Sequence, residues 1–209
     1  YIVPDEKKSQ LFEIYHKHVF EERNDEYLTE KQLTNGKGPI LIDLDFRYSS
    51  DITERQHTTE FIEDICELYL QKINEIKNFE KYSNISFPIY VFEKPNVNIL
   101  SDDSKTKDGI HIIIGIKMNH QEQLLLRNKV MPEITEALED LHFINKIDDI
   151  LDRGITSGSN KWQVYGSRKP GFQRYELTYL FKYNYKKEHE IFNYNITVEE
   201  LEVGSFNLS

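Results

Sequence analysis

One cysteine in 209 residues leaves no partner for an internal disulfide and no basis for a Cys-rich zinc site, so a reducing, intracellular setting is expected. Cys66 falls in an amphipathic helical segment and reads as a buried structural thiol rather than a nucleophile. Long apolar runs are also missing. The longest, such as Ile112-Ile113-Ile114, fall far short of a bilayer span, and no membrane partner is expected. Positive charge is scarce: 26 Lys and Arg stand against 36 Asp and Glu, a net charge of −10. That balance argues against a general nucleic-acid coat, whose affinity comes from Lys and Arg. It leaves room for a nucleic-acid enzyme, because clustered active-site carboxylates themselves lower the total; this stretch alone should bind nucleic acid weakly. No Walker A pattern, serine-hydrolase elbow, dinucleotide fingerprint or His-x-x-x-His pair occurs, which removes P-loop ATPases and the other enzymes built on those motifs. No charged-then-apolar leader opens the chain, and it starts at Tyr1 rather than Met; it reads as a piece of a longer polypeptide, with residues 1–209 forming one catalytic domain.

What is present describes a globular protein. Hydrophobic residues make up 38% and charged residues 30%, neither a disordered nor a membrane composition. Residues 5–23 carry Leu11, Ile14, Tyr15, His18 and Val19 at roughly helical spacing. After a turn-rich stretch from Asn35, Pro39 to Arg47 alternates as a strand, with Ile40, Ile42, Leu44 and Phe46 on one face and Leu41, Asp43, Asp45 and Arg47 on the other. Thr59 to Lys77 is an amphipathic helix. Phe87 to Phe92 is a short strand, Ser101 to Asp108 a loop, and Ile110 to Ile116 a strand. Gln121 to Leu141 reads as a helix disturbed at Pro132. Trp162 to Tyr165 is a further strand, and Arg174 to Tyr185 places Tyr175, Leu177, Tyr179, Phe181, Tyr183 and Tyr185 on one face as core. A short helix capped at Thr197 closes the chain. Early helix–strand alternation followed by a long late strand predicts a mixed α/β or α+β fold.

Four groups of residues can do chemistry. Asp43 and Asp45, two apart on a strand, put two carboxylates on one face, the geometry that suits a Mg²⁺ or Mn²⁺ pair. The placement costs something, since Asp is depleted in strands and adjacent carboxylates repel without a cation between them. A solvated edge strand is the bland reading. His111 faces away from Ile110, Ile112 and Ile114; a lone strand His is usually structural, yet Lys107 and Gly109 beside it suit a phosphate chain. Asp148 and Asp149 form a third acidic position, and Tyr165-Gly166-Ser167-Arg168-Lys169-Pro170-Gly171 is a basic turn.

The order Asp43-Leu-Asp45-Phe-Arg47, Gly109-Ile-His111, Ile147-Asp148 and Tyr165-Gly-Ser167-Arg-Lys169 resembles the archaeo-eukaryotic primase superfamily, which carries a paired acidic motif, a short motif ending in His, a third Asp and a downstream Lys. Ile-Asp-Leu-Asp-Phe-Arg-Tyr and Trp162-Gln-Val-Tyr-Gly-Ser-Arg-Lys-Pro are particularly similar to the primase–helicase proteins of nucleocytoplasmic large DNA viruses. The resemblance runs from about Tyr1 to about Tyr183. It implies an α+β primase catalytic core with an RRM-like half and an α/β N-terminal unit. It implies primer synthesis on single-stranded DNA in viral DNA replication, with nucleoside triphosphates as substrates and two Mg²⁺ or Mn²⁺ ions held by Asp43, Asp45 and Asp148. His111 and Lys169 would bind the triphosphate, with Lys107 and Arg47 as weaker phosphate contacts. No zinc is expected. A helicase domain on the full-length chain is implied, and viral replication sites in the host cytoplasm. Two features depart from the pattern. Members often carry Ser where this chain has Gly109, so the contact made by that hydroxyl must come from backbone or elsewhere, and Asn160-Lys-Trp-Gln163 lacks arginines that some members use. A metal-dependent nuclease, an Asp-x-Asp glycosyltransferase and a catalytically inactive RRM-like binding module are the competing readings.

Overall fold

The computed structural model describes residues 2–32, 36–100 and 105–186. The predicted Thr197 helix lies outside them. At the N-terminus, α1 (Asp5–His16) runs into a π-helical turn over Lys17–Glu21, and β1 (Thr29–Glu30) follows. Next come β2 (Gly38–Ser49), α2 (Thr59–Lys77), β3 (Asn84–Glu93), β4 (Asn98–Ile99), β5 (Lys105–Met118) and α3 (His120–Ala137). Two short helices, α4 (Ile147–Ile150) and α5 (Arg153–Thr156), precede β6 (Trp162–Gln163) and β7 (Glu176–Lys186).

The main sheet is antiparallel with strand order β2-β5-β3-β7, and β4 pairs with β5. Its β2-α2-β3-β5-α3-β7 succession is a β-α-β-β-α-β chain order, with β7 laid beside β3 rather than beside β2. The period-2 pattern of β2 decides which face is buried. Ile40, Ile42, Leu44, Phe46 and Tyr48 enter the principal core with Ile65, Tyr69 and Ile73 of α2 and Leu126, Val130 and Ile134 of α3. Both helices start where their caps dictate: the Thr58 hydroxyl accepts from the Phe61 amide, and Asn119 with Glu122 forms a reciprocal capping box before α3. Cys66 is buried in that core, and burial pushes its thiol up to about 12, as befits an inert side chain. No helix of the described residues is long and apolar enough to cross a membrane.

On the opposite face a smaller cluster gathers Leu41, Phe92, Ile113, Ile155 and Trp162. It explains why Leu41 is apolar on the face otherwise given to Asp43 and Asp45. The N-terminal segment closes over this side: β1 pairs with β6, and the Tyr15 hydroxyl donates to the Tyr165 carbonyl at 2.8 Å.

Several expectations need correction. Lys105 to Asp108 is strand, not loop, because β5 pairs with β2 as far as Ser49↔Lys105. The helix at Gln121 passes through Pro132 and ends at Ala137. Asp148 and Asp149 lie in the helical turn α4. The β7 stripe does not stay on one face. A register shift against β3 between Val91 and Phe92 leaves Tyr179, Phe181, Tyr183 and Tyr185 with the principal core and turns Tyr175 and Leu177 to the smaller cluster.

Candidate active site

The β2–β5 ladder pairs Asp43 with His111, Asp45 with Gly109 and Arg47 with Lys107. Because alternate residues share a face, six positions from two distant stretches of sequence form three successive cross-strand rows on one surface. The His111 Nε2 lies 3.5 Å from Asp43 Oδ1. Lys107 Nζ and Arg47 Nη2 stand 3.8 and 3.9 Å from Asp45 Oδ2. These are loose approaches, longer than charge-assisted hydrogen bonds.

The electrostatics follow from that looseness. Burial pushes the Asp43 carboxyl up, but the nearby His111, then Lys169 and Lys94, outweigh it and leave Asp43 below the ordinary aspartate value. For Asp45 burial dominates, Lys107 opposes it and Asp43 adds like-charge repulsion, so Asp45 ends above the ordinary value. The two carboxylates are therefore unequal, and the second is under-neutralised. The pair offers hard oxygen donors to a cation. Among the described residues, no group of three or more His, Cys, Asp and Glu side chains is arranged to hold a metal ion.

Lys169 is exposed, and its charge reaches Asp43. It follows a turn anchored by Gly166, whose positive φ of 83° suits glycine, and by buried Ser167, which accepts from the Leu28 amide at 2.8 Å. Arg168 and Arg174 of the same region are both committed to Asp25.

Asp148 is not brought to Asp43 and Asp45. Its side chain is 80% exposed and pairs with Arg127 at 3.3 Å, because the α4 turn directs it outward. The structure offers Asp152 in its place. Leu151 bridges Leu44, and the Asp152 amide donates to the Asp43 carbonyl at 3.0 Å. With Leu44 and Leu151 both in the core, Asp43 and Asp152 fall on the other face together. The Asp152 carboxylate accepts from the Gly154 amide and from Asn160 Nδ2, leaving part of its acceptor capacity free. The sequence signal was the apolar Leu151 before an acid, inside a stretch noticed only for its charge.

Three more residues escaped the sequence reading. Tyr175 stacks on His111 with ring centroids 3.6 Å apart and planes at 16°. Trp162 packs against the other neighbourhood of that imidazole at 4.5 Å. Lys94, at the end of β3, holds its ammonium 5.1 Å from the Tyr175 ring centre, a cation–π distance. Burial lowers the Lys94 pKa, while Asp45 and Asp43 partly restore it. Nothing in the spacing of Lys94 marked it; only the end of a buried strand pointing at two carboxylates gives it meaning.

Residues 1–181 match the family described as the C962R protein N-terminal AEP domain, AEP denoting archaeo-eukaryotic primase. The chain is also 27% identical over 172 residues, 81% of its length, to the Acanthamoeba polyphaga mimivirus protein named "Putative helicase L207/L206". The chain spans 17% of that protein.

Proposed function

Since the chain belongs to the family of C962R-type N-terminal archaeo-eukaryotic primase domains, and so to a primase-like class, we propose that it synthesises primers on a single-stranded DNA template by metal-dependent nucleotidyl transfer in viral DNA replication. The observation that carries this reading is the set of three cross-strand rows, Asp43/His111, Asp45/Gly109 and Arg47/Lys107, with Lys169 within electrostatic reach of Asp43.

The donor chemistry fits a divalent ion. Asp43 and Asp45 present same-face oxygens with no close ion pair among the described residues, and Asp45 is held above its ordinary value by burial and by the like charge of Asp43. Those two carboxylates would hold Mg²⁺ or Mn²⁺, with Asp152 in the third acidic position in preference to Asp148. When bound, such ions neutralise charge on the attacking and leaving oxygens of phosphoryl transfer. The rest of the work falls to this chain's own groups. His111 and Lys169 bind the triphosphate; Lys107 and Arg47 flank the second carboxylate and contact phosphate as it arrives. Trp162 and Tyr175 both pack against the imidazole and fix its plane before substrate binds. Lys94 supplies a further positive charge over the site. The name of the mimivirus relative supports a helicase on the full-length chain, and viral replication sites in the host cytoplasm would be its setting.

The test is incubation of the chain with single-stranded DNA, labelled nucleotides and Mg²⁺ or Mn²⁺, with product sizing. Template-dependent extension is expected. Degradation of the DNA without extension would mean a nuclease, and labelled product without template would point to another transferase.

A further inference from the structure

We propose that the Tyr175 hydroxyl is a phosphate-contacting group of this site, donating a hydrogen bond to a nonbridging oxygen of the incoming nucleotide's triphosphate. The inference rests on the nucleotidyl-transfer reading above and adds a substrate contact to it.

The geometry begins at Gly109. A β-carbon built there would lie 2.8 Å from the Tyr175 hydroxyl oxygen and 2.9 Å from the Leu44 carbonyl oxygen. Position 109 is directly across the ladder from Asp45. The hydroxyl therefore stands where a side chain facing Asp45 would otherwise begin. Gly109 is needed for that approach, because any larger residue would have to push out a ring stacked on His111. The ring is well fixed, with His111 against one face and the Lys94 ammonium over it. Little side-chain freedom remains to be lost on binding. The ring is half-buried against the smaller cluster. Burial together with Asp43, Asp45 and Asp108 pushes its pKa well above the ordinary tyrosine value, so it stays a neutral donor. A neutral donor beside two carboxylates and several cations suits an anion that arrives with its own countercharge. The archaeo-eukaryotic primase resemblance carries a serine at the place of Gly109; the Tyr175 hydroxyl, delivered by the β7 bulge, puts a hydroxyl back at that spot from another strand.

The experiment measures binding of a fluorescent nucleoside triphosphate and of inorganic tripolyphosphate to the 209-residue chain with Mn²⁺, alongside primer synthesis. Tyr175→Phe keeps the ring and should weaken both ligands roughly tenfold or more, the worth of one hydrogen bond to a charged group. Gly109→Ser alone should also weaken binding, since its β-carbon collides with the hydroxyl. Melting curves on the wild type and both variants separate loss of contact from loss of fold. Wild-type affinity in Tyr175→Phe overturns the proposal. So does unchanged tripolyphosphate binding with weakened nucleotide binding, which would move the contact to the sugar. A wild-type chain that binds triphosphate through Tyr175 yet makes no primer would keep this contact and defeat the priming reading. One that primes equally well with Tyr175→Phe would do the reverse.

Discussion

Two pairs of acids lie on opposite faces of the same sheet, and they are treated in opposite ways. On the core face, Glu93 and Asp108 are almost completely buried, yet each is answered: Arg55 pairs with both at 2.9 Å, and His57 Nε2 sits 2.7 Å from Glu93. Asp108 also accepts from the Gly109 amide at 2.9 Å. Burial pushes Glu93 up, but His57, Thr178 and Arg55 overcome it and hold it below the ordinary glutamate value. On the other face, Asp43 and Asp45 have no cation closer than 3.5 Å among the described residues, and Asp45 rises instead of falling. Compensation supplied from within marks a structural cluster, since a buried charge left alone is costly. Compensation withheld marks a place that waits for charge from outside. The two are mechanically joined, because Arg55 also donates to the Lys94 carbonyl and Asp108 neighbours Gly109. The closed cluster thereby braces two backbone positions of the open one.

The contrast breaks most visibly in activity. Asp43→Asn and Asp45→Asn should each abolish nucleotide incorporation while the protein stays folded, and Asp152→Asn should do far more harm than Asp148→Asn; primer assays with melting curves check all four. Undiminished synthesis by Asp43→Asn or Asp45→Asn would remove the metal assignment. On the closed side the expectation inverts. Arg55→Ala strands two buried carboxylates and should cost about 3–5 kcal/mol in urea unfolding, whereas Asp45→Asn should be neutral or stabilising because it relieves repulsion. A third measurement asks which pair takes up a cation. Mn²⁺ at a hundredfold excess over its dissociation constant should stabilise the wild type by about 2.7 kcal/mol, and Asp43→Asn should lose that gain while His57→Gln keeps it.

The smallest effect is in pH. Because the folded-state value of Glu93 is depressed, its stabilisation is fully present above the ordinary value of 4.5. It is lost as pH falls through the lower folded value. Asp45 runs the other way: its raised folded value imposes a penalty at neutral pH that is relieved as pH falls through that value. Unfolding measured across the acid range should therefore show Glu93→Gln and Asp45→Asn moving stability in opposite directions at neutral pH. Both differences from wild type should shrink in acid. A shared direction would erase the distinction between the clusters.

Much of this molecule was legible before folding. The alternation in β2 named its two faces residue by residue, and α2 announced its span and its amphipathic character. Those are properties of a single segment, since side-chain direction repeats every two residues in a strand and every 3.6 in a helix. Asp43 and Asp45 could be placed side by side for the same reason. What required the third dimension was every relation between segments. Register decides that Asp43 faces His111 and Asp45 faces Gly109, and register is set by hydrogen bonds to residues some sixty-five positions away. The bulge between Val91 and Phe92 turned Tyr175 from the expected core stripe into the site, because one extra residue reverses the faces of everything beyond it. Asp148 was preferred for its neighbours in sequence, yet a helical turn sent it to solvent and a bridge at Leu44 brought Asp152 to Asp43. The closed cluster of Arg55, His57, Glu93 and Asp108 left no motif at all. Its members meet only because a loop, two strand ends and a buried face converge. Periodicity within a segment was thus written in the chain, while the partner of each face was decided by packing among segments far apart in sequence.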